Sequence, residues 1–330
     1  MPCASATQSS VTRSIEPAAL AGILYCPDDG ATLACGQSRI ECSACGRRFQ
    51  ISEDGVVDLL PLRHAEIAEA GNTAYWNEYK EEIQRPYKPN PMAIAWGAPE
   101  ISGSAWLRKR LRQVRGVRPL IADSKFSKSQ IFCDIAAGAG NYTLAYASDF
   151  RIVLHCDLSA SNLSYAARKA KRLGVRNVYF LRVDYFSLPL ANSIDRVVCL
   201  DTLIRGERHE IALLQSIRKS LRPEGHAIVD FHNWWHNPLR RLGLLRQNFG
   251  ENRSYRRTEA EALLRKAGIE LFDFTPFYQE FDGDWKKRRF ATSVLQPARL
   301  LYRFQGASVD RVIDADAFNL AREEFHVAEL

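Results

Sequence analysis

Short apolar runs alternate with segments of helical length from residue 129 onward. Residues 160–173 and 207–221 carry the mixed apolar and charged pattern of amphipathic helices. Strands that alternate with helices predict an α/β fold around a parallel sheet with both faces covered. The five runs of strand length lie at residues 129–134, 152–156, 178–183, 195–200 and 227–230.

Aspartates mark the ends of four of these runs, and the later segments complete the sheet. Parallel strands end at one edge of a sheet, where ligands of such folds bind. Residues 258–267 predict a closing helix, and residues 271–277 and 289–295 predict a terminal pair of strands. The four aspartates are Asp134, Asp157, Asp184 and Asp201.

The turn after Asp134 is rich in glycine and alanine. A dinucleotide-binding turn needs three glycines spaced G-x-G-x-x-G, and Thr143 stands where the third would be. This excludes the NAD-binding interpretation. Ala136 precedes Gly138 and Gly140, and we expect its backbone φ to be negative because alanine has a Cβ.

Composition is that of an ordinary globular protein. The chain has 330 residues, of which 46% are hydrophobic and 25% charged, and no apolar run is long enough to span a membrane. Without an apolar secretory signal we expect a cytoplasmic protein. The net charge of +7 allows an acidic partner such as RNA, a phosphorylated sugar or an anionic lipid headgroup.

A group of cysteines near the N-terminus has the spacing of a zinc site. Cys42 and Cys45 form a C-x-x-C pair, and Cys26 is followed by Asp29 where a fourth thiolate would stand. We expect these four residues to bind Zn²⁺, with Cys35 as the alternative fourth ligand. The other interpretation is that the segment has lost its metal site and folds without an ion.

This cysteine-rich segment resembles the zinc-ribbon modules that precede some bacterial methyltransferases, including 23S rRNA guanine methyltransferases. The aromatic residue, acidic-Gly turn and leucine pair that end such modules match Phe49, Asp54-Gly55 and Leu59-Leu60. The predicted division of the chain is a flexible N-terminus (1–22), a zinc-ribbon-like domain (23–62), a helical connecting or cap segment (63–128), the main domain (129–298) and a C-terminal extension (299–330).

The segment from Asp134 to Gly140 resembles the first motif of class I S-adenosylmethionine (SAM) methyltransferases, D-x-G-x-G-x-G, with Ala136 in place of the first glycine. The resemblance implies a doubly wound, seven-stranded Rossmann-like sheet and SAM as cofactor. It also implies which residues contact the cofactor. The first motif (Asp134, Ala136, Gly138, Gly140) would lie at the methionine side, with Tyr75 over the methionine end. Asp157 and Leu158 would contact the ribose, Asp184 and Tyr185 the adenine, and Asp201 and Thr202 would lie near the sulfonium. Asp157 or Ser159 has an alternative role, the N-cap of the helix at 160–173.

The acceptor is expected beyond the fourth and fifth strands, where His209 and His232 follow strand ends. Histidine can remove a proton near neutral pH, so the catalytic candidates are His232, His209 and Asp201. The predicted activity is methyl transfer to a small-molecule or glycan-linked acceptor. The alternatives are RNA base methylation and a catalytically silent SAM-fold partner. The oligomeric state is not predicted.

Overall fold

A computed structural model describes residues 17–36, 39–62, 113–122, 127–246, 253–277 and 296–306. Tyr75, most of the predicted connecting segment and the predicted strand at 289–295 lie outside these described residues. A small antiparallel sheet contains β1 (Leu33–Cys35), β2 (Ile40–Cys42) and β3 (Arg48–Phe49).

A central sheet of eight strands organises the remainder of the described chain. Its spatial order is β10-β11-β9-β8-β5-β6-β7-β4. Strands β4 to β9 run parallel to one another, and β11 is antiparallel to both β9 and β10. The strands are β4 (Val56–Asp58), β5 (Ile131–Ile135), β6 (Ile152–Asp157), β7 (Val178–Arg182), β8 (Ile194–Leu203), β9 (Leu221–His232), β10 (Phe272–Phe277) and β11 (Arg299–Gln305).

Helices connect the parallel strands and cover the sheet. Strands β5, β6 and β7 are buried along their whole length, as expected where helices pack on both faces. The helices are α1 (residues 113–121), α2 (Asn141–Tyr146), α3 (Ala160–Arg172), α4 (Glu207–Ser220), α5 (Pro238–Arg241) and α6 (Arg257–Lys266). Ser159 caps α3 by accepting a hydrogen bond from the Asn162 amide, so this part of the N-cap interpretation is confirmed.

The closing strand of the sheet is β11, which begins at Arg299. It pairs with β9 from Arg299 opposite His232 to Gln305 opposite His226. The prediction that residues 299–330 are an extension outside the main domain is therefore wrong for residues 299–305, which form β11. The physical reason is that Leu300, Leu301 and Tyr302 are almost completely buried in the sheet.

The N-terminal segment adds the eighth strand, so the predicted count of seven is too low. β4 pairs in parallel with β7, and the Leu59 amide donates to the Arg182 carbonyl over 2.9 Å. Nearby, the Tyr25 amide donates to the Pro189 carbonyl, and the Ala191 amide donates to the Ile23 carbonyl. Backbone hydrogen bonds thus join the cysteine-rich segment to the edge of the large sheet.

One hydrophobic core spans this junction. Leu24 and Leu59 are fully buried in the same cluster as Leu181 and Leu190 of the main domain. Leu20, in the one-turn helix Pro17–Leu20, belongs to that core as well. The predicted flexible N-terminus (1–22) is therefore wrong for residues 17–22, which the core holds in place.

Candidate functional site

The predicted cofactor residues meet at the carboxyl edge of the parallel strands. The loop after β5 crosses to β6: the Ala137 amide donates to the Cys156 carbonyl over 3.1 Å. One residue further, the Gly138 amide donates to Asp157 Oδ2 over 2.7 Å. The glycine-rich loop and the aspartate predicted to bind ribose therefore touch each other.

Gly138 and Gly140 both have positive φ, at 54° and 76°. A Cβ on Gly138 would meet no atom within 4 Å, so its backbone borders open space. A Cβ on Gly140 would lie 3.4 Å from both Ala166 and His155, where α3 and β6 pack beneath the loop. Gly138 leaves room for a ligand, whereas Gly140 allows the close packing under it.

Ala136 differs from our expectation. Its φ is 54°, in the left-handed region that favours glycine, where we expected a negative value. Left-handed backbone brings the Cβ of an L-residue close to the following carbonyl oxygen, which costs about 1–2 kcal/mol. The loop therefore keeps the conformation that glycine would allow, and Ala136 is strained in it.

Asp134 holds this loop from below. Its Oδ2 accepts hydrogen bonds from the amide and the hydroxyl of Thr143, over 2.9 and 2.6 Å. Its side chain is buried, and burial raises its pKa to about 7. Asp134 thereby fixes the first turn of α2, so its place in the site is structural support beneath the loop.

His155 extends this network into β6. Its Nδ1 lies 2.8 Å from Thr143 Oγ1, and burial lowers its pKa to about 3. The imidazole is therefore neutral at physiological pH. The Thr143 hydroxyl lies within hydrogen-bond distance of both Asp134 and His155 and so links the two side chains. Neither Thr143 nor His155 was among the predicted site residues, although a histidine stands within the apolar run 152–156.

Asp157 is buried, and each of its carboxylate oxygens accepts a backbone hydrogen bond. Oδ1 accepts from the Ser159 amide over 2.8 Å, and Oδ2 accepts from Gly138. Burial raises its pKa. The Asn162 side chain and the Leu158 amide also hydrogen-bond to this carboxylate, and these bonds oppose the rise in its pKa. Of the two roles predicted for this strand end, Ser159 fills that of the cap, and ribose binding by Asp157 stays a prediction.

A buried arginine, Arg182, connects Leu158, the residue after Asp157, to the N-terminal segment. Arg182 Nε donates to the Leu158 carbonyl over 3.2 Å, and Arg182 Nη1 donates to Asp58 Oδ2 over 3.0 Å. Asp58 is the last residue of β4. This link was not predicted, because Asp58 and Arg182 are 124 residues apart.

A narrow cleft opens between the strand ends of β7 and β8. Asp184 Oδ1 accepts a hydrogen bond from the Phe186 amide over 2.9 Å and so fixes the turn that carries Tyr185. The Phe186 ring lies 4.8 Å from that of Tyr185 and 5.6 Å from that of His209, between centroids. The cleft is lined by these three rings, Thr202, Leu203, Arg205, Glu210 and Leu213.

Glu210 fixes the loop on the β8 side of the cleft. Its buried carboxylate accepts from the amides of Arg205 and Gly206, over 2.9 and 2.7 Å. It also accepts from the Tyr255 hydroxyl over 2.7 Å. Three hydrogen bonds therefore hold one carboxylate, and through it the start of α4, where His209 lies. Glu210 was not among the predicted site residues.

A second group of charged side chains lies where β8, β9 and β11 meet. Asp201 has a φ of 63°, and its amide donates to Asp230 Oδ1 over 2.7 Å. The Arg299 guanidinium forms an ion pair with Asp201 and lies 3.3 Å from Asp230 Oδ2. His232 Nε2 is 3.5 Å from Asp201 Oδ1. Two predicted catalytic residues, Asp201 and His232, are thus brought together, whereas His209 belongs to the cleft.

The predicted metal ligands form one cluster. The Sγ atoms of Cys26 and Cys45 are 3.9 Å apart, and Cys42 Sγ lies 3.3 Å from Asp29 Oδ2. One ligand atom from each of the four residues lies within 4.8 Å of the others. Zn–S bonds of about 2.3 Å imply S···S edges of about 3.8 Å in a tetrahedron, and the distance between Cys26 Sγ and Cys45 Sγ matches this value.

Cys35 does not join this cluster. Its Sγ lies 3.8 Å from the Leu33 carbonyl oxygen, at the end of β1. The alternative of Cys35 as the fourth ligand is therefore wrong, because β1 carries it away from the other thiols. Among the described residues, the four-residue cluster is the one group of this kind.

Residues 132–225 match the family described as a methyltransferase domain. This segment runs from β5 into β9 and contains the glycine-rich loop, Asp157 and the cleft. No curated protein matches the chain in sequence. The match confirms the predicted enzyme class: the chain is a SAM-dependent methyltransferase.

Several solved structures are similar to this chain. Magnesium protoporphyrin IX methyltransferase from Synechocystis PCC 6803 is 17% identical, with a TM-score of 0.47 over 73% of this chain and 98% of that one. Phosphoethanolamine N-methyltransferase 2 from Haemonchus contortus is 15% identical, with a TM-score of 0.43 over 59% and 52%. A SAM-dependent methyltransferase from Clostridium acetobutylicum is 15% identical, with a TM-score of 0.45 over 61% and 92%. Likenesses at this level do not identify an acceptor.

The strain at Ala136 leads to a prediction for stability. Ala136→Gly should raise the free energy of unfolding by about 0.5 kcal/mol, since relief of about 1–2 kcal/mol of left-handed strain exceeds the entropy that glycine adds to the unfolded chain. Ala137→Gly is the matched control. Ala137 has negative φ, so glycine there should lower stability by about 0.4–1 kcal/mol. Urea unfolding measures both changes, and equal changes for the two variants would show that Ala136 is unstrained.

Proposed function

We propose that this methyltransferase transfers the methyl group of SAM to a small-molecule or glycan-linked acceptor at the carboxyl edge of the sheet. The observation that carries the proposal is the contact between Gly138 and Asp157. It places a backbone that borders open space next to a buried carboxylate. Bound SAM would supply a methyl group carried on a sulfonium sulfur. The sulfur would be the leaving group and would become a neutral thioether.

The chain's own residues fit that cofactor in three parts. The loop from Ala136 to Gly140 would face the methionine end, and Asp157 would accept hydrogen bonds from the ribose hydroxyls. Tyr185 would flank the adenine in the cleft beside Asp184. In support, the aromatic rings of Tyr185, Phe186 and His209 line one cleft. Flat aromatic surfaces of this kind stack on planar groups.

His232 is the residue that we assign to proton removal. The ion pair with Arg299 commits the Asp201 carboxylate, so Asp201 is suited to orienting His232 rather than to taking a proton itself. A carboxylate next to a histidine stabilises the imidazolium that forms when the ring accepts a proton. Burial raises the pKa of Asp230, whose Oδ1 holds the Asp201 backbone in place.

The cleft is assigned to the adenine, so the acceptor is proposed beside His232, beyond the ends of β8 and β9. The positive net charge of +7 favours the second candidate, RNA. Binding of RNA with a steep dependence on salt would support that alternative.

We also propose that the cysteine cluster binds Zn²⁺ through Cys26, Asp29, Cys42 and Cys45. Three thiolates and one carboxylate are a donor set that zinc accepts, and their spacing fits a tetrahedron. The segment is small and its strands are two or three residues long, so the ion would supply much of its stability.

The role of Asp157 is tested by calorimetric titration with S-adenosylhomocysteine. Asp157→Ala should weaken binding about a hundredfold, because it removes two hydrogen bonds to a charged group at about 1.5 kcal/mol each. Ser159→Ala is the control, since it removes the cap of α3 but leaves the carboxylate. It should lower stability by about 1 kcal/mol and leave the affinity unchanged. Equal loss of affinity in both variants would contradict ribose binding by Asp157.

The metal proposal predicts one zinc ion per purified chain, measured by mass spectrometry of metals. Cys42→Ser should lose the ion, because it removes one of the four ligands. Cys35→Ser should retain it, since Cys35 lies outside the cluster. A wild-type chain without zinc, or two variants with the same zinc content, would refute the site.

A further inference from the structure

A segment rich in exposed apolar side chains follows the last residue of β9. Four large hydrophobic residues between positions 235 and 244 are at least one-third exposed, and two of them, Leu242 and Leu244, are 70% and 74% exposed. The four are Trp235, Leu239, Leu242 and Leu244. Elsewhere in the described residues, exposed large hydrophobic side chains are scattered singly. Clusters of this kind mark interaction surfaces, whereas single exposed residues do not.

The backbone holds these side chains in a defined conformation. The Asn237 side chain caps α5 by accepting from the Leu239 amide over 2.9 Å. At the other end, Gly243 has φ of 71°, its amide donates to the Arg240 carbonyl, and the Leu244 amide donates to the Leu239 carbonyl. These two bonds form a Schellman motif, which ends a helix in a fixed turn. The leucines are therefore displayed outward by a capped turn.

The charge of the segment has one sign. Residues 231–250 contain no aspartate or glutamate, and they contain Arg240, Arg241 and Arg246. Arg241 and Arg246 are exposed, and the Arg240 guanidinium stacks on the Trp234 ring at 4.0 Å. Segments that combine tryptophan and leucine with arginine, and that lack acidic residues, bind at the surface of anionic bilayers.

We propose that residues 234–246 dock the enzyme on an anionic lipid bilayer. The leucines and Trp235 would enter the boundary between headgroups and acyl chains, and Arg241 and Arg246 would contact lipid phosphates. Exposed leucines favour a bilayer over RNA, which offers no apolar phase for them. The described residues contain no helix long and apolar enough to cross a membrane, so this binding would be peripheral. The segment begins two residues after His232, so docking would hold the carboxyl edge of the sheet near the lipid.

Co-sedimentation with vesicles tests this proposal without requiring methyl transfer. The protein should bind vesicles of phosphatidylcholine with one-third phosphatidylglycerol and should not bind pure phosphatidylcholine. Leu242→Ser with Leu244→Ser should weaken binding at least about tenfold, because two leucines then no longer enter the apolar phase. Arg241→Gln with Arg246→Gln should weaken it several-fold and reduce its dependence on salt.

The matched control is Leu173→Ser with Leu271→Ser, which changes two leucines of similar exposure (62% and 88%) outside the segment. This variant should bind the vesicles like the wild type. Absence of binding to anionic vesicles, or equal binding by the two leucine variants, would overturn the proposal, as would binding of RNA alone. Titration with S-adenosylhomocysteine should be unaffected in all three variants, so a failure of docking is distinguishable from a failure of the proposed function.

Discussion

The buried guanidinium of Arg182 is the interaction on which the cofactor side of this protein depends. A buried charge is costly unless it is paired and hydrogen-bonded. Arg182 meets that requirement with one acceptor from each part of the chain, Asp58 at the end of β4 and the Leu158 carbonyl beside Asp157. The pairing of β4 with β7 brings Asp58 into reach. The N-terminal segment is therefore a part of the wall beside Asp157, the residue proposed to bind the ribose.

Backbone strain is concentrated at the same edge of the sheet. Ala136 and Asp201 are the two non-glycine residues of the described chain with positive φ. Ala136 follows β5, and Asp201 lies where the pairing of β8 with β9 is interrupted. Strain of this kind persists where surrounding contacts enforce it, and it is common at functional sites. Hydrogen bonds from the loop to β6 and Asp157 enforce it at Ala136, and Arg299 and Asp230 enforce it at Asp201.

The central fold could be predicted from local patterns. Strands β5, β6 and β7 end within two residues of Asp134, Asp157 and Asp184, where the apolar runs predicted their ends, and α3 matches its predicted span to within one residue. The cluster of Cys26, Asp29, Cys42 and Cys45 followed from spacing alone. These features depend on residues close together in the sequence, where periodicity and spacing carry the information.

Long-range partners could not be predicted in this way. β4 has three residues and no distinctive pattern, so its pairing with β7 depends on the packing of Leu24 and Leu59 in the shared core. The start of β11 at Arg299 was missed because apolar residues also occur at 289–295. The φ of Ala136 could not be read from its residue type, since neighbouring contacts override the local preference.

Calorimetric titration with S-adenosylhomocysteine tests most directly whether the N-terminal segment supports the cofactor site. Asp58→Ala should weaken binding about tenfold, because it removes the partner of Arg182 and loosens the loop after Asp157. Asp54→Ala is the matched variant. It breaks the more exposed ion pair with Arg168 on the same segment and should leave the affinity unchanged. Wild-type affinity in Asp58→Ala, with the fold intact, would contradict the account.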